Sequence, residues 1–456
     1  MKKSTSDSFF FKLRSADVDF SRSSKRVKSP RVRSARLEVL ESRELLSVSV
    51  EEYAAIRSAY EEFALPVSAN DVNIIEIRAE DLSIGSLKDA LDQAGSTKKD
   101  DLIVVRTTNA TNTVSFAKAS DQLNVELDRD IFGKTTIVAL GPKSLVVDAK
   151  KLTRALSLAV GTLDLGNVVL QNGAASNSGG VLLNKGELTL KNCSVSGGTC
   201  DSSEFGANLY SSGTLLAVNS SFTKAGGGNA VYSTGGLTFQ DCSIELNSGS
   251  GVYVEAEAIA SFQNTTISQN GACGLVNKYG LVQIVGCDVS QNGAAGILNS
   301  GDAVIQESVV AQNKGAGIVN QSFLSGETPF SAVITVERTK IVGNANVRGA
   351  GVYNVAGKLT LSNCEISQNV AVENGGAVYC EYQPGYGNLA TIVNCTIAGN
   401  SAASQGGGIY AEPSFGLAVY NTIVSMNYAG DVDANVSGSF TSKNNVVGAS
   451  ANFIVP

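Results

Sequence analysis

The chain has 456 residues, with 35 Lys/Arg against 42 Asp/Glu, 47 Gly, seven Pro, eight Cys and neither His nor Trp. Without histidine there is no Ser-His-Asp or Cys-His catalytic arrangement, no His metal ligand and no His general base, so any chemistry must run on carboxylates, Lys, Arg or Tyr. Residues 1–47 hold twelve Lys/Arg and six Asp/Glu, leaving 23 and 36 in the rest at a net −13, which offers no basic stripe to a nucleic acid.

Residues 1–47 read as a basic leader. It contains Phe9-Phe10-Phe11, too short for the apolar core of a signal peptide, and no stretch approaches the length of a membrane helix. The run Arg36-Leu37-Glu38-Val39-Leu40-Glu41-Ser42-Arg43-Glu44-Leu45-Leu46 carries its leucines on one side of a short helix, with charges between them. It resembles the LEPR-XLL motif found near the N-terminus of many large exported bacterial proteins, with Ser42 in place of the motif's proline. The resemblance implies export to the cell surface or beyond. Residues 48–70 read as a linker with a weakly helical patch from Glu51 to Phe63.

From residue 71 onward the sequence repeats. An aliphatic-x-x-Asn step ends each unit, at Asn247, Asn270, Asn292, Asn313, Asn344, Asn369, Asn400 and Asn427. Units of 21–23 residues with occasional insertions are a solenoid pattern. Each unit holds three short runs of alternating apolar residues, such as Leu275 to Asn277, Leu281 to Val285 and Asp288 to Ser290. Gly or Asn stands where the chain must turn. Three strands and three turns per unit predict an all-β fold, a single-stranded β-helix whose regular coils run from about 160 to 430.

Aligning the units gives columns. Leu182, Leu209, Val231, Val252, Leu275, Ile297, Ile318, Val352, Val378 and Ile409 are all aliphatic and are assigned to the interior. Their neighbours point outward and include Tyr210, Tyr232, Tyr253, Tyr353, Tyr379 and Tyr410. Asn184, Asn277, Asn299, Asn320 and Asn354 follow as a partial ladder of amides. Cys193, Cys242, Cys287, Cys364 and Cys395 share a column with Ser220, Thr265, Ser308, Thr339 and Thr422. That column wants a small inward side chain, so these cysteines read as buried free thiols; no CxxC pair points to structural zinc.

Two segments, Gly375-Gly376-Ala377-Val378-Tyr379 and Gly406-Gly407-Gly408-Ile409-Tyr410, resemble right-handed parallel β-helix repeats of the pectin-lyase-like superfamily. They are also similar to the repeats of polymorphic outer-membrane proteins. Gly85-Ser86-Leu87-Lys88-Asp89-Ala90-Leu91 resembles the SLREAI segment that opens such domains as a short N-terminal capping helix, here within a capping segment at 71–100. Residues 420–448 are similar to the C-terminal segment of choice-of-anchor Q proteins, and 431–456 is expected to close the solenoid.

Pectin-lyase-like enzymes work from an exposed sheet with carboxylates and a Lys or Arg. In the outward column of the third strand, Lys340 and Glu365 fall in adjacent coils and Asp288 two coils earlier. This set suits a lyase with Lys340 as base and a uronate or Ca²⁺ held by Asp288 or Glu365. It equally suits a surface ion pair. The Tyr column suits a sugar-stacking platform, or a stripe covered by the longer insertions at 321–331 and 381–388. Asp431 and Asp433 are too few for a Ca²⁺ site on their own, and no cofactor is expected.

The regular repeat without a converging catalytic set favours a non-enzymatic, exported or cell-surface scaffold for adhesion or glycan recognition, with a polysaccharide or cell-envelope component as partner. The alternative is a polysaccharide lyase or glycoside hydrolase. A sheet face that gathers several acidic and basic side chains would favour the enzyme.

Overall fold

The structure is a computed structural model and describes residues 48–127, 132–201, 205–325, 328–430 and 434–448. The LEPR-XLL-like run and Asp431 and Asp433 lie outside the described residues.

Among the described residues, three long parallel sheets of 13, 15 and 14 strands run the length of the solenoid. Each coil contributes one strand to each, in the order sheet I, sheet II, sheet III. The coil from residue 275, for example, supplies Leu275–Asn277, Leu281–Val285 and Asp288–Ser290. Each strand pairs in parallel with its equivalents in the coils before and after, so the chain winds as a right-handed parallel β-helix.

The aliphatic column stacks as the alignment predicts. Val231, Val252, Leu275, Ile297, Ile318 and Val352 are successive register partners in sheet I and are fully buried. Phe239 and Phe262, also fully buried, stack with ring centroids 5.3 Å apart and nearly parallel planes, and Phe222 meets Phe239 edge to face at 5.4 Å.

The corner between sheets II and III is a single left-handed residue. Asn192 (φ 54°), Asn219 (φ 46°), Asn264 (φ 48°) and Asn394 (φ 55°) hold it, a conformation that Asn tolerates better than most side chains. The Asn-x-Ser/Thr sequences at Asn264 and Asn394 are therefore corners of the coil.

Two amide ladders line the interior. The first runs Asn277, Asn299, Asn320, Asn354, with amide-to-carbonyl distances of 2.7, 2.9 and 2.7 Å. Asn184 stands apart and donates to Ser211 at 2.9 Å. The second ladder is longer, because the Asn that marks each repeat is itself a rung: Asn247, Asn270, Asn292, Asn313, Asn344, Asn369, Asn400 and Asn427 pass hydrogen bonds of 2.8–3.0 Å from coil to coil. Glycines make room for it. A Cβ on Gly296 would come within 2.7 Å of both Asn313 Nδ2 and the Gly317 carbonyl.

Helix α2 (Ile84–Ala94), N-capped by Ser83, buries Leu87, Ala90, Leu91 and Ala94 against the first strands of sheet II and caps the core there. Residues 48–70, read as a linker, are instead docked structure. Helix α1 (Val50–Ala59) opens with a Ser49–Glu52 capping box and lays Tyr53 and Ile56, together with Tyr60, Phe63 and Leu65, on the outer face of sheet II over Leu102, Val104 and Val138. Arg106 bridges Glu52 and Glu76 at 2.7 Å each, and Lys191 pairs with Glu62. The weak helical signal was right, but its apolar side chains repeat too irregularly to announce the docking.

All eight cysteines are free, and seven are buried. Burial pushes the Cys193 thiol up to about 12 and the Cys242 thiol up to about 11. They fill the small inward column, where Ser220, Ser308 and Thr422 hydroxyls accept backbone N–H groups of the preceding coil.

Candidate functional site

Three outer surfaces carry side chains that could meet a ligand. On sheet III the outward column reads Ser194, Ser221, Ser243, Thr266, Asp288, Val309, Lys340, Glu365 and Thr396, in the register the alignment gave. Lys340 Nζ lies 3.2 Å from Glu365 Oε2, and the two side chains are 63% and 46% exposed. An ion pair so open to water contributes little, about 0–1 kcal/mol. Asp288 is two rungs away across Val309, so it does not join them.

Along the corner of sheets II and III lies a shallow polar groove of about 560 Å³, lined by Asn192, Ser194, Asn219, Ser221, Asp241 and Asn264 among others. Its polar groups pair along the axis, Asn219 to Asn192 at 2.6 Å, Ser221 to Ser194 at 2.9 Å and Asn264 to Asp241 at 3.1 Å. A single carboxylate gives it no acid–base pair.

Sheet I is different. The Tyr column is in register, Tyr210–Tyr232–Tyr253 and Tyr353–Tyr379–Tyr410, separated by Val276, Leu298 and Val319. The rings use their faces on one another: Tyr210–Tyr232, Tyr232–Tyr253 and Tyr379–Tyr410 stack at 5.6, 5.1 and 5.1 Å with interplanar angles of 8–14°. Tyr232 and Tyr379 are only 9% and 2% exposed. A sugar has no free ring face to stack on at these rungs; edges and hydroxyls remain. In the insertion at 321–331 a hairpin sets Phe323 against Tyr279, with ring centroids 3.8 Å apart.

The hydroxyls lead to carboxylates. Tyr353 donates to Glu381, and Tyr379 donates to Glu412 at 2.6 Å. Glu412 also accepts the Tyr382 backbone N–H at 3.0 Å. Arg348 sits 5.7 Å over the Tyr379 ring, 2.5 Å from Glu373 and 4.0 Å from Glu381. Earlier along the same column the arrangement recurs in smaller form. Tyr232 donates to Glu255 at 2.6 Å, and Lys278 lies 3.6 Å from Glu255. The four rungs between Tyr253 and Tyr353 put the two clusters about 19 Å apart at the spacing of paired strands.

The phenols of Tyr232, Tyr353 and Tyr379 are pushed up, first by burial and then by the carboxylate each one meets. They stay protonated at neutral pH and act as donors, so the bases on this face are carboxylates. Glu381 and Glu412 follow the paired positions Cys380 and Ala411 on adjacent strands, whose backbones lie about 4.8 Å apart. Two carboxylates on neighbouring strands are the residue types that acid–base work at a glycosidic bond uses.

The aligned columns of the sequence pick out these tyrosines but not the charges beside them. The signal was present: Tyr253-Val254-Glu255, Tyr379-Cys380-Glu381 and Tyr410-Ala411-Glu412 repeat one Tyr-x-Glu pattern. Arg348 and Glu373 lie in the turns between sheets III and I, outside any aligned column. Among the described residues, no group of three or more Cys, Asp or Glu side chains is placed to hold a metal ion.

The chain belongs to the family described as the right-handed β-helix region, whose profile matches residues 157–280 and 230–385. None of the curated proteins matches it. Among solved structures, the chain is similar to the A-module of the mannuronan C-5 epimerase AlgE6 of Azotobacter vinelandii at 14% identity, covering 80% of this chain and 94% of that one with a TM-score of 0.47. It is similar to pectate lyase Pel9A at 13% identity, covering 80% and 78% with a TM-score of 0.33. A GH87 α-1,3-glucanase catalytic domain matches at 13% identity, covering 83% and 70% with a TM-score of 0.37. No helix of the described residues is long and apolar enough to cross a membrane.

Proposed function

We propose that this protein is exported and acts on a polysaccharide, with the outer face of sheet I as its working surface and Glu381 and Glu412 as its acid–base pair. The observation that carries this reading is the convergence of Arg348, Glu373, Glu381 and Glu412 with two phenols on one sheet face. The same chemistry returns at Tyr232, Glu255 and Lys278 along the same column. A face that repeats its polar groups rung by rung suits a ligand that repeats its own units, as a glycan chain does. Hydrolysis is the reaction that two carboxylates serve. Arg348, already engaged by Glu373, orients Glu381 and the Tyr379 ring.

The full-length protein incubated with a panel of polysaccharides is expected to release new reducing ends from at least one. Glu381→Gln and Glu412→Gln should each abolish the release, and Lys340→Ala should preserve it. Folded protein that neither binds nor cleaves any glycan overturns the reading.

A displayed, non-enzymatic scaffold is the second reading. The outward column of sheet III favours it, being largely Ser, Thr and aliphatic with one exposed ion pair. Glycan binding without turnover, lost in the same two variants, is its signature.

A further inference from the structure

We propose that the ligand of the sheet I face is an uncharged polysaccharide and not a polyuronate. This rests on the reading of that face as a polysaccharide site. The two cations that meet its carboxylates are already engaged: Arg348 by Glu373 at 2.5 Å and Glu381 at 4.0 Å, and Lys278 by Glu255 at 3.6 Å.

A uronate chain brings a carboxylate with every sugar. It would set a row of negative charge beside Glu255, Glu381 and Glu412, where Arg348 and Lys278 are already paired, in a body whose net charge is −13 over residues 48–456. An uncharged chain meets no such repulsion. It also supplies what the face lacks. Glu381 accepts from Tyr353 and Gln383 Nε2, and Glu412 from the Tyr379 hydroxyl and the Tyr382 N–H, whereas a carboxylate has about four acceptor positions. The face is therefore rich in acceptors and short of donors, and the hydroxyls of a neutral glycan are donors. Tyr353 and Tyr379 stay protonated and donate to these carboxylates.

The test is binding of the full-length protein to two oligosaccharide series of equal length, neutral glucans and oligouronates, at low and high salt and with or without Ca²⁺. The expected result is at least tenfold tighter binding of a neutral series, unchanged by salt. The double variant Glu381→Gln/Glu412→Gln should weaken neutral binding by tenfold or more and leave uronate binding the same or better.

Tighter uronate binding at low salt that fades as salt rises overturns the proposal, as does uronate binding that appears only with Ca²⁺. Uronate binding lost in the double variant also overturns it while keeping the polysaccharide reading. If neither series binds, the polysaccharide reading fails and this inference falls with it.

Discussion

The Tyr379 hydroxyl donates to Glu412 Oε1 at 2.6 Å while its ring is 2% exposed, so a buried aromatic aims a carboxylate at the surface. The ring is held by Tyr410 on one side and the Arg348 guanidinium on another. Tyr379→Phe should keep this packing and lose only the hydrogen bond. A bond to a charged acceptor is worth about 1.5–3 kcal/mol. Chemical denaturation is expected to show a loss of that order at most, while glycan turnover falls further because Glu412 is released from its aim. A variant with unchanged turnover would mean that Glu412 is positioned without it.

Glu381→Gln and Glu412→Gln test the chemistry directly. Removing an acid–base carboxylate costs about 10²- to 10⁴-fold in rate. Both substitutions conserve shape and act at partly exposed positions, so the melting temperature should move little. A rate loss matched by an equal loss of folded protein would point to structure instead.

Alkaline pH should loosen the fold. Tyr232, Tyr253, Tyr353 and Tyr379 are raised above the ordinary 10.0, and Cys193 and Cys242 to about 12 and about 11 from 9.0. A group raised in the folded state favours folding while protonated. Its stabilisation is complete below the unfolded value and is lost as pH rises through the folded one. Stability measured by denaturant should therefore be level through neutral pH and decline above about pH 9–10. Phenolate absorbance should appear together with unfolding.

Thiol labelling reads the same burial. Cys273 is partly exposed and the other seven cysteines are buried, all of them free. A thiol reagent should label no more than one site quickly in the native protein and eight after denaturation. Fewer than eight on unfolding would reveal a disulfide.

The amide ladder gives the sharpest stability prediction. Asn313 Oδ1 accepts from both Asn292 N–H and Asn292 Nδ2 at 3.0 Å, while its amide donates to Val289 O at 3.1 Å and Asn344 Oδ1 at 2.9 Å. Asn313→Ala leaves those four groups buried and short of a partner, at a cost of about 3 kcal/mol or more. Each coil touches only its neighbours, so hydrogen exchange should quicken around that coil first.

The solenoid was legible because its order is one-dimensional. Any column that repeats, such as Val231–Val252–Leu275 inside or Tyr353–Tyr379–Tyr410 outside, shows in the letters as soon as the units are aligned. Docking of α1 was not, since Tyr53, Ile56 and Phe63 meet Leu102 and Val138, which lie in other coils and keep no common period. The site was half legible for the same reason. Its tyrosines belong to a column, but Arg348 and Glu373 come from turns whose lengths vary, and only folding brings them over Tyr379. Lys340 and Glu365 drew attention because they share a column, and sharing a column gave them each other and nothing more.

The aliphatic interval of Val276, Leu298 and Val319 between the two Tyr–Glu clusters makes the solenoid adjustable. Every coil there pairs in parallel register with the ones before and after it. Duplicating or deleting one would preserve both clusters and shift their separation by a fixed step of about 4.8 Å. Sequence drift within a cluster changes what is recognised, whereas gain or loss of a coil changes the length of ligand needed to bridge both. Chemistry and reach can thus evolve by separate genetic events.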